Sequence, residues 1–346
     1  MDGAGGWIDA NEAAGRKRLE ATPTPDRVSD EAALGRRAQG SHEITELFDG
    51  WKRPLPDSKG TVTSPIASGD TAASRGALAR VRSVVCVGSG KGGVGKSTLT
   101  VNLAAALAGE GLRVGVLDAD VWGYSIPRMF GVGAERPLVS AERKIMPLDA
   151  NGIAVMSIGF FVEEDAAVVW RGPMLHKALK QFLEDVEWGV LDFLLIDLPP
   201  GTGDVSMTLA QLLPQSSFVI VTTPQPAAQR VARRAAEMAH KVSLEISGVI
   251  ENMAGFVTPD GERYAIFGEG GGRALADELD VPLLGTVPLT MALRAASDAG
   301  VPLVVENPDD PAAQAIRHAA RGLIALAPPA TPLPPAAVGM SLPMAR

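Results

Sequence analysis

The chain has 346 residues, 46% of them hydrophobic and 5% aromatic, with a formal net charge of −8 and a sequence pI near 5.2. That length holds one large α/β domain or two smaller ones, and the acidic balance argues against coating nucleic acid or an anionic membrane. A single cysteine, Cys86, excludes an internal disulfide and any site made of several cysteines from one chain.

In chain order, the N-terminus Met1-Asp2-Gly3-Ala4-Gly5-Gly6 has neither the basic region nor the apolar core of a signal peptide. No apolar run approaches the roughly 18 residues that span a bilayer, so the expected location is cytoplasmic. Residues 1–80 are poor in apolar clusters and rich in Gly, Ser, Pro, Asp and Arg, the composition of a largely disordered region. Within it, Glu43-Ile44-Thr45-Glu46-Leu47-Phe48-Asp49-Gly50-Trp51 suits one short amphipathic turn, either folding onto its own domain or serving as a docking motif. From 81 to 327, strand patterns at 83–88, 113–118, 153–158, 191–197, 217–222, 246–251 and 283–287 alternate with helical ones. The helices are expected at about 97–110, 173–186, 203–213, 226–243, 271–280, 290–299 and 310–327. Such alternation predicts a three-layer α/β domain, a mainly parallel sheet covered by helices on both faces. The Pro-rich tail, 328–346, is expected to be extended and disordered.

The first strand pattern runs into Gly90-Lys91-Gly92-Gly93-Val94-Gly95-Lys96-Ser97-Thr98. This fits G-x-x-x-x-G-K-[ST] in its strand–loop–helix context. Glycines let successive N–H groups turn toward a phosphate, Lys96 reaches the β- and γ-phosphates, and the Ser97 hydroxyl suits Mg²⁺. Gly88-x-Gly90-x-x-Gly93 also satisfies a dinucleotide fingerprint with Asp118 as ribose acid. The continuation into Gly95-Lys96-Ser97-Thr98, the second acid Asp120 and the downstream Asp197 favour a nucleoside triphosphate. Leu194-Leu195-Ile196-Asp197, followed by Leu198-Pro199-Pro200-Gly201, is an apolar strand ending in a carboxylate able to hold a water on Mg²⁺. In Leu117-Asp118-Ala119-Asp120, two acids beside a polyphosphate repel it unless one orients the attacking water and the other supports the metal shell. All these positions end strands, where ligands of such sheets bind. The four histidines are scattered without metal-ligand spacing.

Lys91, directly after the first loop glycine, makes the loop similar to the deviant phosphate loop of the MinD/ParA/nitrogenase-iron-protein superfamily. Further motifs resemble the Mrp/ApbC branch of iron–sulfur cluster carrier ATPases: residues 116–127, Trp170-Arg171-Gly172-Pro173-Met174, 197–204, Thr222-Thr223-Pro224-Gln225, 248–253 and Phe267-Gly268-Glu269-Gly270-Gly271-Gly272. The resemblance implies a homodimer that sandwiches two ATP molecules, with Lys91 reaching the partner's nucleotide. It implies Asp120 on the attacking water, Asn252 reading adenine and Pro288 near the base. Cofactors would be ATP and Mg²⁺, with an iron–sulfur cluster by analogy, and the partners apoprotein clients or cluster-assembly proteins.

One departure stands out. The family's Cys-x-x-Cys pair lies a few residues past the Glu-Asn-Met segment, and here residues 254–264 contain no cysteine. A dimer offers only two Cys86 thiols, whereas clusters take four thiolates as a rule. Two other classes fit less well. A MinD- or ParA-type positioning ATPase acting on a membrane should end in a basic amphipathic helix rather than a Pro-rich tail. A tyrosine kinase on this scaffold should have a tyrosine-rich tail, yet Tyr124 and Tyr264 are the only tyrosines. GTP lacks an Asn-Lys-x-Asp segment to read guanine.

Overall fold

The computed structural model describes residues 78–120, 123–161, 172–201, 212–213, 215–241, 244–258 and 262–329. The expectations for residues 1–77, most of the helix at 203–213, and the tail beyond 329 lie outside them. The centre is a sheet in the order β10-β9-β8-β1-β7-β2-β6-β5, with β11 on the other side of β9. Its strands are β1 (Val81–Ser89), β2 (Val114–Asp118), β5 (Leu148–Ala150), β6 (Ile153–Ser157), β7 (Leu191–Asp197), β8 (Ser217–Thr222), β9 (Glu245–Val257), β10 (Arg263–Tyr264) and β11 (Leu283–Leu289). β1, β2, β6, β7, β8, β9 and β11 run parallel. Only β5 and β10 are antiparallel, so the expected mainly parallel sheet is what forms. A separate two-stranded hairpin joins β3 (Leu138–Val139) and β4 (Ile145–Met146).

The central strands read as continuous apolar runs because both faces are covered. Every residue of β2 is buried, as are Cys86, Val87 and Leu194–Ile196. α1 (Lys96–Gly109) is buried on nearly all sides from Leu99 to Leu107, which its alanines permit by letting neighbours approach closely. A helix without a polar face belongs in the interior. The remaining long helices are α3 (Gly172–Glu184), α4 (Pro226–Lys241), α5 (Gly271–Leu279), α6 (Met291–Ala299) and α8 (Pro311–Leu326), with short α2 (Ile126–Met129) and α7 (Leu303–Glu306). Thr290 and Asp310 cap α6 and α8 by accepting from Leu293 N and Ala312 N, each cap contributing about 1 kcal/mol.

One stretch departs from expectation. β9 does not end at 251 but continues to Val257 and pairs with β10 where a loop was anticipated. Met253 and Gly255 have positive φ, 57° and 89°, so the strand keeps pairing through two irregular residues that conceal its periodicity.

Candidate nucleotide site

β1 lies between β7 and β8, while the chain leaves it for β2 on the far side of β7. The loop after β1 therefore opens at a switch in strand direction, the place where such sheets bind ligands. Gly93 and Gly95 adopt left-handed φ values of 76° and 81°. A Cβ on Gly95 would also overlap the Asn252 amide, and one on Gly90 would overlap the α4 backbone at Val231. Gly90, Gly93 and Gly95 are thus required by backbone conformation, by what packs against the loop, or by both.

Below the loop, three side chains converge on Asp197, which is fully buried. The Ser97 hydroxyl donates to Asp197 Oδ2 at 2.6 Å, and the Lys96 ammonium pairs with the same oxygen at 2.7 Å. Thr100 donates to Asp197 Oδ1 at 2.9 Å. Sequence reasoning missed Thr100, although its place one helical turn after Lys96, on the same face, was the available signal. Hard oxygen donors at Ser97 and Asp197 suit Mg²⁺, which keeps waters and substrate phosphates as its other ligands. Consistent with such a sparse site, no cluster of three or more His, Cys, Asp or Glu is found among the described residues.

The two acids ending β2 differ. Asp118 faces Asp197 across the β2–β7 register and is fully buried. Its Oδ1 accepts from Asp120 N at 3.1 Å; its Oδ2 accepts from Ser125 N, Ile126 N and Ser157 Oγ, each at 3.2 Å. Burial, and secondarily the Asp197 charge, push its pKa up to about 8 against the opposing pull of Lys96 and the backbone donors. Its oxygens hold the following loop in place behind the site. Asp120 instead lines the open pocket together with Lys96, Ser97, Gly123, Ser125 and Pro200, in a volume of ≈ 270 Å³. Its Oδ1 accepts from Gly123 N at 3.1 Å.

Lys91 is exposed, and its ammonium donates to Gln225 Oε1 at 3.3 Å rather than to Asp197. Asn252 is buried and donates from Nδ2 to Val94 O at 2.8 Å, bracing the phosphate loop. Its register partner on β11 is Val287, next to Pro288. The structure therefore brings Asn252 and Pro288 together at one end of the loop, with the Asn252 amide N–H already engaged by the loop itself.

No thiolate site accompanies this machinery among the described residues. Residues 254–257 are strand, and Arg263 of β10 donates to Ala254 O at 2.9 Å. Cys86 is fully buried in β1 and donates to Ser216 Oγ at 3.7 Å. Burial pushes its thiol up to about 12, which keeps it protonated at neutral pH.

Residues 80–324 match the family model described as ParA, NUBPL iron-transfer P-loop NTPase. The chain is 54% identical over 246 residues to an iron–sulfur cluster carrier protein of Mycobacterium tuberculosis, covering 69% of this chain and 64% of that one. It is 51% identical over 253 residues to the carrier protein of Deinococcus radiodurans, covering 73% and 72%. The match thus spans under two thirds of the mycobacterial relative's length. Among solved structures, a nucleotide-binding protein of Archaeoglobus fulgidus in complex with ADP superposes with a TM-score of 0.61 at 38% identity. That match covers 70% of this chain and 94% of the other.

Proposed function

Because the chain belongs to the ParA/NUBPL iron-transfer family of P-loop NTPases, we propose that it is a Mg²⁺-dependent ATPase whose hydrolysis drives iron–sulfur cluster handling for apoprotein clients. The observation that carries the ATPase reading is the convergence of Lys96, Ser97 and Thr100 on Asp197 directly under the glycine loop. Loop N–H groups and Lys96 bind the phosphates, so Lys96 must exchange Asp197 for phosphate oxygens when nucleotide enters. Ser97 and Asp197 are the residues to hold Mg²⁺, which when bound neutralises charge between the β- and γ-phosphates. Asp120, at the pocket wall, orients the attacking water and accepts its proton. Asp118 fixes the loop that carries Asp120. Asn252 and Pro288 form the base end of the cleft.

Lys91 is exposed and bonded to Gln225 rather than to Asp197, which suits a lysine that completes the site of a second copy, as in a homodimer closed around two nucleotides. The cluster is cargo rather than a resident group. With the chain's one thiol buried and protonated, its ligands come from a partner or from the client. The cytoplasm is the compartment consistent with this role, and no described helix is long and apolar enough to cross a membrane. The test is phosphate release by purified protein with ATP and Mg²⁺, compared with Lys96→Ala. A Lys96→Ala protein hydrolysing at the parental rate would refute the mechanism.

A further inference from the structure

Behind the loop that carries Asp120 lies a second pocket, of ≈ 530 Å³ against ≈ 270 Å³ for the phosphate pocket. This volume is within the roughly 300–1,000 Å³ typical of ligand sites. Its described lining includes Tyr124, Arg128, Arg136, Gly159 and Phe160. The wall is built rather than incidental: a Cβ on Gly159 would overlap the Tyr124 ring, so this glycine lets the ring lie against the backbone, and Phe160 beside it is buried. The rim is cationic. Arg136 Nη1 donates only to the carbonyls of Gly133 and Glu135, at 3.3 and 2.9 Å. Neither Arg128 nor Arg136 meets a carboxylate among the described residues. An aromatic wall under two uncompensated guanidinium groups suits an occupant with apolar anchors flanked by acids.

The chain contains such an occupant outside the described residues. In 43–51, Ile44, Leu47, Phe48 and Trp51 fall at i, i+3, i+4 and i+7, one face of a helix. Glu43 precedes them and Glu46 and Asp49 lie between them, with no lysine or arginine in the segment. The tail 330–346 has no acid at all. Residues 52–77 join the segment to Leu78 and reach about 90 Å when extended, enough to place it anywhere on the domain. Such a tether holds the segment at an effective concentration approaching the millimolar range, which favours it over a free partner of the same chemistry.

We propose that residues 43–51 dock on their own ATPase domain, seating their apolar side chains in the pocket lined by Tyr124 and Phe160 and their acids against Arg128 and Arg136. Tyr124 belongs to the loop held by Asp118 through Ser125 N and Ile126 N, and Gly123 and Ser125 also line the phosphate pocket. Docking and nucleotide binding therefore act on one loop. Neither depends on what the ATPase serves.

The test uses the full chain with Phe48→Cys and Ala134→Cys, oxidised mildly, and with Ser58→Cys and Ala134→Cys as the tethered reference. Disulfide formation within one chain is read by mass spectrometry. The pair at 48 and 134 is expected to close at least fivefold faster than the reference. Glu43→Arg with Glu46→Arg, which leaves the folded domain untouched, should slow it about tenfold, the size expected of two exposed ion pairs. Adding Arg128→Glu and Arg136→Glu should restore the rate. Equal rates for both cysteine pairs, indifference to charge reversal, or disulfides only between differently tagged copies would each overturn the proposal, the last by making a second copy the occupant.

Discussion

The middle of the sheet's carboxyl edge and its β9–β10–β11 end are built to different standards of local necessity. In the β1–β7–β2 middle, Lys96, Ser97 and Thr100 each reach Asp197 within 2.9 Å, and two loop glycines have φ values few other residues adopt. At the β9–β10–β11 end, where residues 254–264 contain no cysteine, an extra length of antiparallel strand pairing occupies the edge. Phosphate chemistry tolerates little variation because charge must be met at fixed distances. The β9–β10 edge of the same sheet is held by ordinary backbone pairing. The difference teaches that one part of the edge is built from charged and hydroxyl side chains around a buried acid, and the other from backbone alone.

The comparison is sharpened most by changes at the phosphate end. Lys96→Ala should lower ATP hydrolysis by about 10³-fold or more, since it removes the charge on the β- and γ-phosphates and leaves Asp197 unpaired; steady-state phosphate release measures this. Lys91→Ala should lower the rate by a comparable factor, about 10³-fold, if it acts as an arginine finger does. Mixing Lys91→Ala with Lys96→Ala chains should then restore part of the rate, because one subunit keeps the loop and the other supplies the lysine. Absence of rescue would place Lys91's action within its own chain. Asp120→Asn should reduce kcat by about 10²-fold while nucleotide affinity is kept, the signature of a group acting on the water.

Changes at the other end should be milder for catalysis. Asn252→Ala removes the brace on Val94 O and leaves a buried carbonyl without its donor, costing about 1–3 kcal/mol of stability, read as a lowered thermal midpoint. Cys86, in β1 beneath the phosphate loop, should resist alkylation in the native protein near neutral pH and react on unfolding, since its thiol is buried and its pKa raised to about 12. Rapid native alkylation would show the strand thiol to be accessible, against that burial.

How much of this was legible follows the same division. Gly93, Gly95, Lys96, Ser97 and Asp197 were readable because a short motif fixes their spacing along the chain and a strand end fixes the acid. The parallel sheet was readable because its buried strands are long apolar runs. Thr100 and the amide of Asn252 were not, because their partners, Asp197 and Val94, are 97 and 158 residues away in sequence. The two- and three-residue strands β3, β4 and β5 are too short to show a period. The end of β9 was hidden by Met253 and Gly255, whose left-handed backbone breaks the alternation that marks a strand. The donors around Asp118, among them Ser157 Oγ 39 residues away, became visible only when they were placed in space.

Anaerobic reconstitution with iron and sulfide, followed by iron, sulfide and protein quantitation beside Cys86→Ser, tests the central claim most directly. The account predicts intact ATP hydrolysis and no cluster retained on the chain alone, with or without Cys86. A stoichiometric cluster per dimer that disappears in Cys86→Ser would contradict it, proving the strand thiol accessible and a ligand.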